Sequence, residues 1–310
     1  MIIVAVPSSL IDAVGQVQGC DLLAWDMQDP PLRHEEIEVV VAPNWRAPWM
    51  ARLDELPALR ALQLGSAGFE HALQHLPEGV QLANAVGVHD TATSELALTL
   101  ILASQRDLPD FVRDQEGQTW NPPAEQRSLA DATVLVIGYG GIGRALAQRL
   151  RACEADVLAV ARQARPGDDL VERVYAVSDL PDLLPTAGVV VLCTPLTEAT
   201  QGLLDATALG RLPDDALVVN VGRGPLLDTD ALVAECASGR LRAAVDVTDP
   251  EPLPAGHPLW STPGVLISPH VGGNSSAYTP RMARYVRSQL TAYVQQGSLP
   301  HTVAVGSHHS

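Results

Sequence analysis

The chain has 310 residues, a formal net charge of -16, and a composition that is 46% hydrophobic with only 4% aromatics. That length suffices for two domains, and their cores must rest on Val, Leu, Ile and Ala. The acidity argues against nucleic acid or an anionic membrane surface as the main partner, because both attract basic patches. All 20 basic residues are Arg. The missing lysine excludes a P-loop lysine and any Schiff-base lysine, including one that holds pyridoxal phosphate. Every fixed cationic contact to a phosphate or carboxylate therefore falls to an Arg.

The four cysteines (Cys20, Cys153, Cys193 and Cys236) form no CxxC pair and read as small buried apolar residues in a reducing compartment. Residues 1–10 lack a basic leader region and read as a first strand. The longest apolar stretch, 96–103, falls short of the roughly 20 residues a bilayer span needs. A cytoplasmic location is expected. The histidines are scattered without ligand spacing, so no metal is expected. The closing GSHHS resembles a trimmed affinity tag, which gives His308 and His309 no weight as ligands.

Short apolar runs alternate with helical patterns along the chain, as in parallel sheets with helices on both faces. Strands are expected at 2–6, 39–42, 59–64 and 80–83, followed by a long helix over 93–112. The polar stretch 115–126, with Pro122 and Pro123, reads as an exposed connection. A second series of strands is expected at 133–137, 157–160, 189–193, 217–221, 243–247 and 265–268. These runs are apolar throughout, as befits strands covered on both faces. A last helix spans 277–296, and its pattern alone fits either of two α/β domains that meet near residue 97.

The run TVLVIG leads into Gly138-Tyr139-Gly140-Gly141-Ile142-Gly143, a GxGxxG between an apolar strand and a helical pattern. The first glycine permits a tight turn, the second lets backbone approach a pyrophosphate, and the third lets helix and strand pack closely. The helix N-terminus adds free N–H groups and positive partial charge. The alternative reading is a purely structural turn. In NAD-binding versions an acid at the end of the next strand holds the ribose 2′-OH. Here that position is Ala161, followed by Arg162 and Arg165. Two guanidiniums suit a 2′-phosphate that a carboxylate would repel, so NADP(H) is expected over NAD(H). The competing reading leaves both arginines solvated at a loop.

Three later strands each end in a reactive residue: Arg223 in NVGRG, Glu251 in DVTDPEP and His270 in SPHVGG. Open α/β sheets bind ligands at such ends.

At this point the chain resembles the D-isomer-specific 2-hydroxyacid dehydrogenases. The glycine loop, CTPLTEATQGLL, NVGRGPLLD, AAVDVTDPEPLP and LISPHVGG occur in that family's order and approximate spacing. The resemblance implies two Rossmann-like domains with the active site in the cleft between them. One is a flavodoxin-like substrate domain over 1–97 plus 280–310; the other is a doubly wound dinucleotide-binding domain over 98–279. It further implies that Arg223 binds the substrate carboxylate and keto oxygen, His270 is the acid/base and Glu251 supports that histidine. The stretch from Arg162 to Arg165 is similar to one in the glyoxylate/hydroxypyruvate reductases.

The chemistry suits those roles. An oxyanion forms as hydride reaches C2, and His supplies its proton near neutral pH. A neighbouring carboxylate favours the charged imidazole and fixes its tautomer. Arg holds a planar acid bidentately and stabilises developing negative charge. Asp246 matches a family Asp that faces the nicotinamide amide, although it also reads as a cap for the turn that follows. Thr93, Cys193, Thr194, Pro195, Val221, Gly222 and Gly272 match positions along the cofactor. The family also implies a homodimer through the nucleotide domain.

On the substrate side, Ser66, Ala67 and Gly68 resemble the family loop whose backbone N–H groups hold the carboxylate, and small residues suit that close approach. Trp45 and Trp49 read either as the pocket's outer wall or as half-buried surface aromatics. His89 falls where the family often has an apolar residue, and either adds polarity to the pocket or caps the next helix. The chain departs from the family at Thr248, usually an aromatic, and just before Glu251, where the acidic residues are reduced to Asp249-Pro250. A formate dehydrogenase would carry Gln in place of Glu251. A dehydrogenase of another small anion such as phosphite, and a nucleotide-sensing corepressor on the same scaffold, stay open as alternatives; turnover separates the corepressor from the enzymes.

Overall fold

The computed structural model describes residues 1–42 and 47–307. The chain forms two compact units, Met1–His89 with Ser275–Ser310, and Asp90–Asn274. In chain order the first unit begins with β1 (Ile2–Val6), α1 (Ser8–Val14), β2 (Cys20–Ala24), β3 (Ile37–Val41), β4 (Ala61–Gln63) and β5 (Gln81–Ala83). The second contains α2 (Asp90–Gln105), α3 (Leu108–Glu116), β6 (Thr133–Ile137), α4 (Gly141–Ala152), β7 (Asp156–Ala161), β8 (Arg165–Pro166) and β9 (Arg173–Ala176). It continues with α5 (Leu180–Leu183), β10 (Val189–Leu192), α6 (Ala206–Leu209), β11 (Leu217–Asn220), α7 (Thr229–Ala237), β12 (Arg242–Val245) and β13 (Val265–Ile267). The chain then returns to the first unit with α8 (Tyr278–Gln296) and β14 (Thr302–Val305).

The first sheet has the order β14-β5-β4-β3-β1-β2, parallel except for β14 against β5. Its five parallel strands follow the flavodoxin-like order. Successive side chains point to opposite faces of a strand, so apolar runs supply two cores. Val4, Val39, Val41 and Ala61 meet α1 and α8 on one side, while Ile3, Val40 and Leu62 meet Met50, Leu53 and Trp25 on the other. The helical spacing of Met282, Val286 and Leu290 gives α8 one apolar stripe, and it packs beside Leu10 and Val14 of α1. Arg287 adds hydrogen bonds of 2.8 and 3.0 Å to the carbonyls of Ala13 and Val14. The closing helix thus belongs to the first unit.

The second sheet runs β13-β12-β11-β10-β6-β7-β9-β8, parallel except for β8 against β9. The chain leaves β6 in one direction through β7 and β9 and in the other through β10 to β13. The strand order therefore reverses between β6 and β10, the place where open α/β sheets open a ligand crevice. Ala97, Leu100 and Ile101 of α2 pack on Val134, Val136 and Leu146, which ties that helix to this sheet. The helix expected over 93–112 is two helices, broken at Asp107 with φ 50° and ψ 33°. Pro109 explains the break, because inside a continuous helix its ring would clash with the carbonyl four residues earlier. No described helix is long and apolar enough to cross a membrane.

Candidate active site

The glycine loop begins where β6 ends, at the reversal of strand order. Gly138 has φ 110°, and a side chain there would start 2.7 Å from the backbone of Cys193 and Thr194 after β10. Only glycine supports that turn and that approach. A side chain on Gly143 would start 2.0 Å from the Gly138 carbonyl oxygen, so α4 folds directly back against the turn. The corresponding point on Gly140 is open beyond its chain neighbours, whereas a side chain on Gly141 would start 2.0 Å from the Asp90 carboxylate, which therefore lies against the first turn of α4. The open backbone at Gly140 suits the close approach of a phosphate anion. The Cys193 thiol donates to Gly138 O at 3.1 Å; burial pushes its pKa up to about 12, so it is a packing residue and no nucleophile.

Val221 and Gly222 lie beside the segment that meets this turn, and Thr93 lies beside Gly272. Val221 N donates to Leu192 O at 3.0 Å, and a side chain on Gly222 would start 3.0 Å from Thr194 O. Pro195 follows directly, exposed. Thr93 on α2 is buried, with its methyl group 3.4 Å from where a side chain on Gly272 would begin. Ile142 lies in the first turn of α4.

Beyond β7, Arg162 is exposed and makes no hydrogen bond or ion pair with any described residue. Arg165 donates to Tyr139 O at 2.7 Å, with its guanidinium 6.0 Å from the centre of the Tyr139 ring. The β8–β9 turn carries a residue that sequence reasoning missed. The carboxylate of Asp168 accepts from Tyr139 Oη at 3.0 Å, Arg144 Nε at 2.9 Å and Leu170 N at 2.9 Å. The Leu170 N–H, then Tyr139, the Val171 N–H and Arg144, outweigh burial and hold that carboxyl below the usual Asp range. Burial and the adjacent Asp168 push the Tyr139 hydroxyl well above the ordinary tyrosine value. The RPGDD turn at 165–169 is legible in the sequence, but nothing local points it at Tyr139.

Arg223, Glu251 and His270 follow β11, β12 and β13, three adjacent parallel strands about 4.8 Å apart. Buried Asn220 shapes the Arg223 turn, accepting from Gly222 N at 3.0 Å and donating to Arg223 O at 2.9 Å. Arg223 is half-buried and donates to Gly222 O at 2.7 Å. Thr248, where the family resemblance expects an aromatic, donates to Pro250 O at 2.9 Å and so braces the segment that carries Glu251. Glu251 Oε1 lies 2.5 Å from His270 Nδ1.

His270 has φ 52°, an uncommon left-handed conformation for a residue with a side chain. Asp246 is what maintains it. Its carbonyl accepts His270 N at 2.8 Å, and its carboxylate accepts Ser268 Oγ at 2.6 Å, Val271 N at 2.9 Å and Gly272 N at 2.8 Å. Asp246 is 2% exposed, so the clamp is out of water. The residue thus braces the loop after β13, one strand over from its own.

In the first unit, Ser66, Ala67 and Gly68 form the loop between β4 and the short helix that starts at Glu70, and Ser66 Oγ donates to Gly68 O at 2.7 Å. His89 Nε2 lies 2.7 Å from Gly65 O, and its ring stacks on Tyr278 at 5.4 Å. It therefore faces the loop and does not cap α2. Trp45 lies outside the described residues, and nothing is assigned to the side chain of Trp49.

The NAD binding domain of the D-isomer specific 2-hydroxyacid dehydrogenases matches residues 98–272 of this chain. Human glyoxylate reductase/hydroxypyruvate reductase is 29% identical over 304 residues, 93% of this chain and 92% of that protein. The glyoxylate reductase of Thermofilum pendens is 31% identical over 258 residues, 80% of this chain and 75% of that one. Among solved structures, a D-isomer specific 2-hydroxyacid dehydrogenase from Xanthobacter autotrophicus Py2 in complex with NADPH and MES is similar at a TM-score of 0.77 and 27% identity, covering 97% of this chain and 98% of that one. An NADPH-dependent glyoxylate/hydroxypyruvate reductase from Sinorhizobium meliloti, in complex with NADP and sulfate, gives a TM-score of 0.81 at 25% identity, with 98% of each chain covered.

Proposed function

Because the chain belongs to the D-isomer-specific 2-hydroxyacid dehydrogenase family, we propose that it moves a hydride between NADP(H) and C2 of a small 2-keto or D-2-hydroxy acid of the glyoxylate/hydroxypyruvate class. The observation that supports this reading is the 2.5 Å contact of Glu251, after the strand beside that of Arg223, with His270, after the next strand over.

The bound nicotinamide supplies or accepts the hydride, and the chain supplies the rest. Arg223 holds the substrate carboxylate and keto oxygen and stabilises the negative charge that develops there. Glu251 occupies Nδ1 of His270, so the proton that reaches the C2 oxygen travels on Nε2. The Ser66–Gly68 N–H groups hold the carboxylate in the first unit. Gly138 to Gly143, Thr93, Cys193 to Pro195, Val221, Gly222, Asp246 and Gly272 line the cofactor. Arg162 and Arg165, with no acid at Ala161, favour NADP(H) over NAD(H).

NADPH consumption over glyoxylate, hydroxypyruvate, pyruvate and branched 2-keto acids tests the activity; no turnover with any of them overturns it. A kcat/KM for NADH above that for NADPH overturns the cofactor preference.

We also assign a homodimer through the second unit. Among its described residues α3 buries none, with Leu108 48% and Val112 56% exposed, and Trp120 beyond it is 94% exposed. These exposed apolar side chains are the ones such an interface would cover. Sedimentation equilibrium at monomer mass overturns this assignment.

A further inference from the structure

We propose that His89 and Asn84 are positioning residues that hold the loop 65–68 with three consecutive backbone N–H groups turned toward the substrate carboxylate. The inference rests on the reading of this loop as the carboxylate site and names what aims it.

Three successive carbonyls of the loop are held by donors from one short segment, 84–89. Gly65 O lies 2.7 Å from His89 Nε2, Ser66 O accepts from Ala85 N at 2.8 Å, and Ala67 O accepts from Asn84 Nδ2 at 2.7 Å. In a trans peptide the N–H points opposite to the C=O of the same unit. The N–H groups of Ser66, Ala67 and Gly68 therefore all turn away from the 84–89 segment. None of the three donates to a described residue. Backbone donors are rarely left unpaired, and several converging N–H groups form a concavity for an anion.

The segment behind the loop is itself fixed. Asn84 O accepts from Tyr285 Oη at 2.8 Å and from Gln63 Nε2 at 3.1 Å, and Gln63 is 1% exposed. His89 is held flat by Tyr278, whose ring plane lies within 17° of its own. The hydroxyl of Tyr278 fills the space beside Gly65, since a side chain there would start 2.6 Å from it. A carbonyl only accepts, so Nε2 of His89 must carry the proton. Its Nδ1 is buried with no described partner, which leaves the Gly65 contact as the ring's one hydrogen bond among the described residues.

His89→Leu removes the donor behind Gly65 and leaves Asn84 and Ala85 in place. The KM for glyoxylate should rise about three- to tenfold, the usual worth of one hydrogen bond. With uniform binding lost, kcat should change by less than about twofold and the KM for NADPH should stay unchanged. His89→Gln, which keeps a donor at similar reach, should recover much of the loss. An unchanged glyoxylate KM in His89→Leu, or a fall in kcat with KM unchanged, overturns the inference. Should the Leu variant not fold, imidazole 15N NMR of the wild-type protein decides: protonation at Nε2 supports the clamp, and a proton on Nδ1 with bare Nε2 overturns it. A wild type that turns over no 2-keto acid overturns the inference together with the functional reading. Turnover with a KM indifferent to His89 overturns the inference alone.

Discussion

His270 is held at two points: Glu251 Oε1 lies 2.5 Å from its imidazole Nδ1, and Asp246 O accepts its backbone N–H at 2.8 Å. Side chain and main chain are thus fixed by two residues of the one segment that follows β12. A ring held in this way presents Nε2 in one direction, the arrangement that proton transfer to a bound oxyanion requires.

Replacing His270 with Gln or Ala should lower kcat by about two or more orders of magnitude, in line with the usual contribution of acid/base catalysis. NADPH binding, followed by fluorescence, should persist. A variant that retains near-normal kcat removes His270 from the proposed mechanism.

Asp246→Ala should be costly in two ways. Val271 N, Gly272 N and Ser268 Oγ lose their shared acceptor, at about 1–3 kcal/mol for each donor that finds no water. The melting temperature should fall by roughly 2–4 °C per kcal/mol lost. Because the same loop carries His270, kcat should drop about tenfold or more. Ser268→Ala removes only one of the three donors and should show a much smaller loss in both measurements. Equal melting curves for Asp246→Ala and wild type would contradict the clamp.

Arg162→Ala and Arg165→Ala should each reduce kcat/KM for NADPH by about 10- to 100-fold, the range for hydrogen bonds to a charged group. NADH should be little affected by Arg162→Ala. Parallel losses with both cofactors in that variant would mean that Arg162 does not read the 2′-phosphate.

Asp168 gives a pH-dependent prediction. Its folded carboxyl is held below the usual range, first by the Leu170 N–H and then by Tyr139, the Val171 N–H and Arg144 against the effect of burial. A depressed folded pKa contributes stability that is fully present above the unfolded value, about 3.9, and is lost as pH falls through the folded value. Asp168→Asn should therefore melt a few degrees below wild type at pH 7, roughly 1–3 °C given its partly exposed partners. The two melting curves should begin to approach each other as pH falls below about 3.9 and meet only below the lower folded value. A gap that stays constant from neutral to acid pH would assign the loss to shape and not to charge.

Much of the architecture was written in local pattern. The spacing of Gly138, Gly140 and Gly143 specifies a turn between strand and helix, because each glycine answers a requirement met within a few residues. Unbroken apolar runs such as 189–192 and 217–219 announce strands covered on both faces. Strands at sheet margins were not legible: β2 is half-covered along its length, and β9 carries exposed Arg173 and half-covered Tyr175 and Ala176.

The candidate site divides in the same way. Residue types and strand-end positions of Arg223, Glu251 and His270 come from the sequence alone, since the chemistry needs those groups and the strand pattern dates each one to a loop. Tertiary structure alone decided which atoms hold them. Asp246 reaches a loop 22 to 26 residues away, Asp168 reaches Tyr139 across 29, and His89 reaches Gly65 across 24. Helix α8 was likewise free to join either sheet until Met282, Val286 and Leu290 found the stripe beside α1. The physical reason is common to all four. Propensity, spacing and turn chemistry act between near neighbours, whereas a side chain's hydrogen-bond partner and a helix's apolar face are chosen by whatever folding brings alongside.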